Sequence, residues 1–247
     1  MSLAEGSEEL ETVSFYIHQA LELAFNGNIG APIHEKLQTG AKVAAEYPDS
    51  KFYAVDLTTR NSIDHNITFI SCDIHHKLPF PDNEFDYVFS RNKTEFFSKN
   101  TFQGFLFEIF RVLKPEGWLE IVHSLYADDD YGGAFSKGAN ISFNRERGID
   151  FDLITHLEDY LKMTGKTEFL SSQIAKIPLG GAGFGEFTSE IVLNYVKNMR
   201  NAGSPFEGYE QPLEDLESEM KEKRGEIYSK QKRVFARKKN MDTLKDA

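Results

Sequence analysis

Between residues 51 and 123 the chain alternates short apolar runs with turn residues and one amphipathic helix. No other feature constrains the fold as tightly. Residues 51–56 (KFYAVD), 67–71 (ITFIS) and 85–90 (FDYVFS) are rich in β-branched and aromatic side chains and are bounded by turn formers. Their apolar content is nearly continuous, which suits strands covered on both faces. Phe102, Phe105, Leu106, Ile109, Phe110 and Leu113 then form one unbroken stripe at helical spacing. Lys114-Pro115-Glu116-Gly117 ends that helix, and residues 118–123 (WLEIVH) read as a fourth strand. Strands alternating with helices predict an α/β fold with a largely parallel sheet.

The flanks are less sharply marked. Residues 1–9 read as an acidic tail. Leu10, Val13, Ile17, Ala20, Leu21 and Ala24 predict a helix stopped at Asn26-Gly27, and Pro32 opens a short second helix capped by Gly40. Residues 124–150 are rich in Gly, Asp and Asn, the mark of a long loop or insertion. Beyond it the spacing predicts a helix over 153–163, a strand within 169–179 and a glycine turn at 180–185. A helix through Phe187, Ile191, Tyr195 and Met199 follows, then a charged helix from Pro212 to about Ser229 and a short strand near 232–237.

Composition narrows the function. The net charge is −11, the wrong sign for a protein that neutralises many phosphates, so nucleic acid is an unfavourable partner. One cysteine, Cys72, excludes an internal disulfide and a Cys-rich zinc site. The acidic start does not read as a secretory signal, and no apolar run reaches the roughly 20 residues of a membrane span. The expectation is a soluble protein of the cytoplasm or nucleus, without a membrane partner.

Open parallel sheets bind ligands beyond the carboxyl ends of their strands. Three such ends carry polar groups: Asp56 with Leu57, Asp73 with Ile74, and Ser90 with Arg91. An acid there can accept hydrogen bonds from vicinal ribose hydroxyls, and a second acid one strand over can accept an exocyclic amine. Strand-end Asp is also a common turn residue.

LPFPDNEFDYVFS (residues 78–90) followed by EIFRVLKPEGWLEI (residues 108–121) resembles the core of class I S-adenosylmethionine-dependent methyltransferases, of the type 11/25 group common in fungi. The resemblance runs from about Gly30 to His123, with a weaker match through HLEDYLKMTGK and QIAKIPLG. It implies a single methyltransferase-like domain over 1–247, with N-terminal helices at 10–48, a cofactor-side core at 49–123, a substrate-side insertion and helices at 124–211, and a C-terminal helix and strand at 212–247. It implies a Rossmann-like, mostly parallel sheet with an antiparallel last strand. S-adenosylmethionine is the implied cofactor: Asp56 and Leu57 at the ribose, Asp73 and Ile74 at the adenine, Ser90 and Arg91 along the cofactor and substrate pocket. The methyl acceptor is a small molecule or a protein.

One departure stands against the family pattern. The family opens with a strand, an acidic residue and a Gly-x-Gly-x-Gly loop. Here Gly40-Ala41-Lys42-Val43 resembles the start of that strand, and Ala44-Ala45-Glu46-Tyr47-Pro48 resembles the end of the next helix. Roughly fifteen residues of the strand–loop–helix layout are missing between them, so the central first strand is absent or degenerate. A non-catalytic scaffold or regulatory binding protein of the same fold is therefore the alternative. A nicotinamide-dependent oxidoreductase would need a glycine fingerprint before Asp56, which the chain also lacks.

No essential base is implied, because such catalysis is mainly alignment. His123, at the end of a core strand, is the one histidine singled out as a candidate base. Other motifs carry blander readings. Gly180 to Gly185 lacks the third glycine of a dinucleotide fingerprint, since Glu186 stands there. Asp73, His75 and His76 read as solvated loop residues rather than a metal site, and Asp128-Asp129-Asp130 lacks calcium-loop spacing. The basic run 221–239 reads as a charged helix face, and Cys72 as a small strand residue.

Overall fold

The computed structural model describes residues 24–25, 48–57, 65–91, 97–125, 153–201, 210–223 and 226–240. The predicted N-terminal helices, the break beside Val43, the 126–150 loop and Asp128-Asp129-Asp130 lie outside them, apart from two helical residues, Ala24 and Phe25.

Six strands are described. β1 (Phe52–Asp56) and β2 (Ile67–Ser71) pair in parallel, with Phe52 opposite Ile67 and Asp56 opposite Ser71. β3 (Phe85–Arg91) pairs in parallel with β4 (Leu113–Ser124). β5 (Thr167–Leu179) and β6 (Ile227–Lys238) complete a four-stranded sheet ordered β3-β4-β6-β5. β6 runs against both neighbours. Its early residues meet the end of β4 (Lys230 accepts from the Leu125 N–H at 2.9 Å), and its last residue meets the start of β4 (Lys238 Nζ donates to the Leu113 carbonyl at 2.5 Å). Just past β6, the Lys239 N–H donates to Lys166, at the start of β5. The expected α/β sheet with an antiparallel last strand is thus observed. Among the described residues the sheet is broken into β1-β2 and β3-β4-β6-β5, with no strand between β1 and β3.

Helix α1 (Lys99–Val112) forms where the aromatic stripe predicts it. Ser98 caps it, reciprocally with Thr101, and Phe102, Phe105, Leu106, Ile109 and Phe110 are all buried. The chain passes from α1 directly into β4. Phe85 lies opposite Leu113 and Tyr87 opposite Trp118, so Lys114–Gly117 bulges out of the strand. Three more helices follow: α2 (Leu157–Met163), α3 (Phe184–Asn201) and α4 (Glu210–Glu222).

The largest correction to the expected elements is at the C-terminal end. The charged helix stops at Glu222 rather than near Ser229, and β6 is a long interior strand. Part of the basic run is therefore not a solvated face: Lys232, Arg233 and Lys238 are buried. Hydrogen bonding to both neighbouring strands outweighs the polarity that favoured a surface helix.

Two compact units divide the chain. One comprises Ile29–Val122, His156–Ser172 and Arg233–Ala247. In its core Phe97 packs on Phe105 at 4.7 Å and Phe102 on Tyr160 at 5.7 Å, while Trp118, Phe169 and Phe235 form a second ring cluster. The other comprises Met1–Asn28, His123–Thr155 and Gln173–Lys232, with a small core of Leu179, Met220 and Ile227.

Candidate functional site

The parallel register of β1 and β2 brings Asp56 and Ser71 side by side, so the two strands end on one edge. The Cys72 N–H donates to the Asp56 carbonyl at 2.8 Å, and the Ser71 hydroxyl donates to the Leu57 carbonyl at 2.8 Å. These bonds carry the ladder one residue past each strand and tie the two exits together. Leu57 is 70% exposed at this edge. Asp73 and Ile74 follow directly, both half-buried.

Asp73 is held by its own turn. Its Oδ1 accepts from the His75 N–H at 2.9 Å and meets His75 Nδ1 at 2.8 Å, while Oδ2 lies 3.7 Å from His76 Nε2. The hydrogen bonds from His75, backbone first, hold the Asp73 carboxyl below the usual carboxylate range. The His75 ring packs on Phe97 at 4.8 Å, yet its side chain keeps 38% of its surface exposed, as a solvated loop position implies, and that of His76 is 80% exposed. Burial, and then the Asp73 charge, raise the Cys72 thiol above its ordinary value, which keeps it protonated and a poor nucleophile.

Ser90 and Arg91 end β3 opposite Ile121 and Val122 of β4. Successive strand residues point to opposite faces, so these two cannot line the same surface. Burial pulls the Arg91 guanidinium below its ordinary value. At the other end of the strands, Tyr53 of β1 and Phe85 of β3 meet edge-on at 5.6 Å, with Phe80 packed against both.

The LPFPD segment is held by an ion-pair clamp that sequence reading missed. Arg111 Nη1 donates to the Phe80 carbonyl at 2.8 Å and to Asp82 Oδ1 at 2.9 Å. Its Nη2 donates to the Leu78 carbonyl at 3.0 Å and to Glu108 Oε2 at 2.9 Å. Glu108 in turn accepts from the Leu78 N–H at 3.0 Å. The signal was present as Glu108 and Arg111 one turn apart on α1, within the EIFRVLKPEGW motif. That motif therefore acts on loop geometry: it fixes the path from β2 to β3.

His123 is 1% exposed, and burial lowers its pKa to about 4. Its Nδ1 lies 3.0 Å from the Ser124 carbonyl. A neutral, enclosed imidazole of this kind is a weak base at neutral pH, so this conformation does not favour the one histidine proposed as a base. The glycine turn before α3 closes on itself. Gly180 donates to Ser189 Oγ at 2.5 Å, and Ser189 donates to the Gly185 carbonyl at 2.7 Å. A Cβ at Gly180 would collide with the Met220 carbonyl oxygen, so close packing accounts for this glycine. Among the described residues no group of three or more His, Cys, Asp or Glu side chains is arranged to hold a metal. Among them, too, no helix is long and apolar enough to cross a membrane.

Residues 34–121 match the family model described as a methyltransferase domain. Over 89 residues the chain is 36% identical to the sterol 24-C-methyltransferase erg6 of Schizosaccharomyces pombe, a match covering 36% of this chain and 22% of that protein. The match thus spans about a fifth of the length of that relative. Among solved structures, the Haemonchus contortus phosphoethanolamine N-methyltransferase 2, in complex with phosphomonomethylethanolamine and S-adenosylhomocysteine, aligns with a TM-score of 0.49 at 20% identity, covering 81% of this chain and 46% of that one. The [4+2]-cyclase SpnF aligns with a TM-score of 0.46 at 18% identity, covering 91% and 72%. Over residues 34–121 the chain thus matches a methyltransferase domain, carried on the α/β strand order described above.

Proposed function

We propose that the protein binds S-adenosylmethionine at the carboxyl edge of β1 and β2 and transfers its methyl group to a small-molecule or protein acceptor. The observation that carries this reading is the register placing Asp56 opposite Ser71, which sets Asp56 and Asp73 at neighbouring strand exits. The donor chemistry fits. Two carboxylates offer acceptor oxygens, and a nucleoside offers two ribose hydroxyls and an exocyclic amine as donors. Asp56 takes the ribose hydroxyls, Asp73 takes the amine, and Leu57 and Ile74 provide apolar cover for the base. Of Ser90 and Arg91 only one can face the pocket, because successive strand residues point to opposite faces. When bound, the cofactor supplies an electrophilic methyl group on a sulfonium. The chain's own contribution is orientation of the reactants, which alone lowers barriers substantially.

A second reading rests on the sequence interruption at Val43: a methyltransferase fold serving as a non-catalytic binding scaffold. Two side-chain hydrogen-bonding groups contribute about 1.5–3 kcal/mol each, against 4 kcal/mol or more for immobilising a ligand. Isothermal titration of the unaltered chain with S-adenosylmethionine separates the readings. Saturable micromolar binding, weakened by Asp56→Ala, supports the enzyme. No heat at millimolar cofactor, restored by inserting a family-like strand and glycine loop after Val43, supports the scaffold.

A further inference from the structure

Asp73 is the best-defined polar group at the β1–β2 edge, and its geometry is set by one neighbour. Both hydrogen bonds to Oδ1 come from His75, one from the backbone and one from the ring. An ionised carboxylate can only accept, so Nδ1 of His75 carries the proton in this contact. The ring is fixed in turn. It lies 4.8 Å from the ring of Phe97, which is fully buried and packs on Phe102 at 5.7 Å and on Phe105 at 4.7 Å. A chain of contacts therefore runs from the core of α1, through Phe97 and His75, to one oxygen of Asp73. The loop is pinned again three residues on, where the Leu78 N–H donates to Glu108.

We propose that His75 is the positioning residue for Asp73: by saturating Oδ1 it fixes the carboxylate plane and leaves Oδ2 as the acceptor presented to a ligand's exocyclic amine. This rests on the cofactor reading above for the identity of the ligand, but not for the clamp itself. His75 touches no reacting atom. It acts only through Asp73, and its effect is on selectivity for an amino-substituted base. A carboxylate free to rotate would lose orientation entropy on binding, and one already fixed does not. Among the described residues, the other charged or titratable groups beside Asp73 are His76, 3.7 Å from Oδ2, and Cys72, whose thiol donates to the Asp73 carbonyl at 3.5 Å.

Two measurements test this. In the ligand-free protein, the Asp73 carboxyl is titrated by carbon-detected NMR. The midpoint should lie below the ordinary range and should climb towards it in His75→Ala. His75→Asn, whose side-chain amide branches at the same distance as Nδ1, should bring it most of the way back. An unchanged midpoint in His75→Ala overturns the proposal. In the second measurement, the wild-type and variant chains are titrated with S-adenosylhomocysteine and with its inosyl analogue, which has a carbonyl in place of the amine. His75→Ala should weaken the adenosyl ligand about tenfold and leave the inosyl ligand nearly unaffected. Equal losses for both ligands would make His75 a mere loop support and overturn the selectivity role. If the wild-type chain binds neither ligand while the Asp73 midpoint still moves in His75→Ala, the cofactor reading fails and the clamp stands.

Discussion

The β1–β2 pair and the four-stranded sheet are built to different standards. No residue of β1 or β2 is fully buried, and Tyr53 and Leu57 lie open to solvent. β4 and β6 are buried along most of their length, including Glu120, Arg233 and Lys238. The proposed cofactor acids Asp56 and Asp73 stand at the thinly packed pair, while the interior sheet holds the densest packing and the most demanding electrostatics. The difference separates two tasks. Side chains at the β1–β2 edge are replaceable at small cost to folding, so changes there should read out in binding. Changes in the four-stranded sheet should read out in stability first.

The sharpest way to break that comparison is to strike the interior. Glu120 is fully buried, lies 3.1 Å from Arg233 and accepts from the Tyr87 hydroxyl at 3.1 Å. Burial, and then the Glu120 charge, push the Tyr87 phenol well above its usual range, so it stays protonated and keeps donating. Glu120→Ala leaves the Arg233 charge without its acid and should cost about 3–5 kcal/mol in urea unfolding. The double change Glu120→Leu with Arg233→Met should recover most of that loss, because an ion pair in the core need not outperform apolar packing. Phe105→Ala and Phe110→Ala, in the buried stripe of α1, should also cost about 3–5 kcal/mol each. Unmoved denaturant midpoints in these variants would mean that the interior sheet is not the stable half.

On the other side of the comparison, Asp56→Ala should leave unfolding within about 0.5 kcal/mol of wild type. It should weaken S-adenosylmethionine by roughly ten- to a hundredfold, the worth of a hydrogen bond to a charged group. A large loss of stability with unchanged affinity would invert the assignment.

The same contrast explains which parts of the molecule were legible in the sequence. β1, β2, β3 and α1 are visible because their apolar residues follow strand or helix spacing and their turns carry Pro, Asn and Gly. β6 is only partly visible: a short strand near 232–237 is predicted, but residues 227–229 read as the end of a charged helix and the burial of its basic side chains leaves no mark in IYSKQKRVFARK. Its polar side chains are instead matched by specific partners, most of them far along the chain. Lys238 donates to Asn83 Oδ1, Lys232 to the carbonyls of Ile154 and Thr155, and Gln231 to the hydroxyls of Ser124 and Ser229. None of these pairings leaves a periodic trace. At the site, strand-end acids are recognisable by position. The tie of His75 to Asp73 needs Phe97 to fold back onto the loop, which only tertiary structure supplies.

A smaller effect follows from His123. Its folded-state pKa of about 4 lies below the ordinary value of 6.5, so the unfolded chain binds the proton more tightly. The stability it contributes is complete above pH 6.5, is lost as pH falls, and is gone below about pH 4. Between pH 7 and pH 5 this loss amounts to about 2 kcal/mol. In His123→Gln that share of the pH dependence should vanish. A pH profile identical to wild type would show that the imidazole is not enclosed in solution.

The finest test lies in the bulge that joins α1 to β4, where two adjacent positions should respond with opposite signs. Glu116 holds a left-handed backbone at φ 62°, a conformation that disfavours a residue with a Cβ by roughly 1–2 kcal/mol. Its side chain is exposed, so removing it forfeits little packing. Glu116→Gly relieves the strain, and the added freedom of the unfolded chain offsets roughly 0.5–1 kcal/mol of that gain. The net expectation is a stabilisation of about 0.5–1 kcal/mol, read as a higher melting temperature. At Gly117 the space is the constraint. A Cβ there would lie 2.9 Å from the Lys114 carbonyl oxygen and 3.2 Å from that of Asp86, both backbone atoms held within the β3–β4 pairing. Gly117→Ala should therefore destabilise by an amount at least comparable to the gain at Glu116. If both substitutions moved the melting temperature in the same direction, the bulge would not be as rigid as the sheet it belongs to, and the division between a firm interior and a permissive β1–β2 edge would have to be redrawn at this turn.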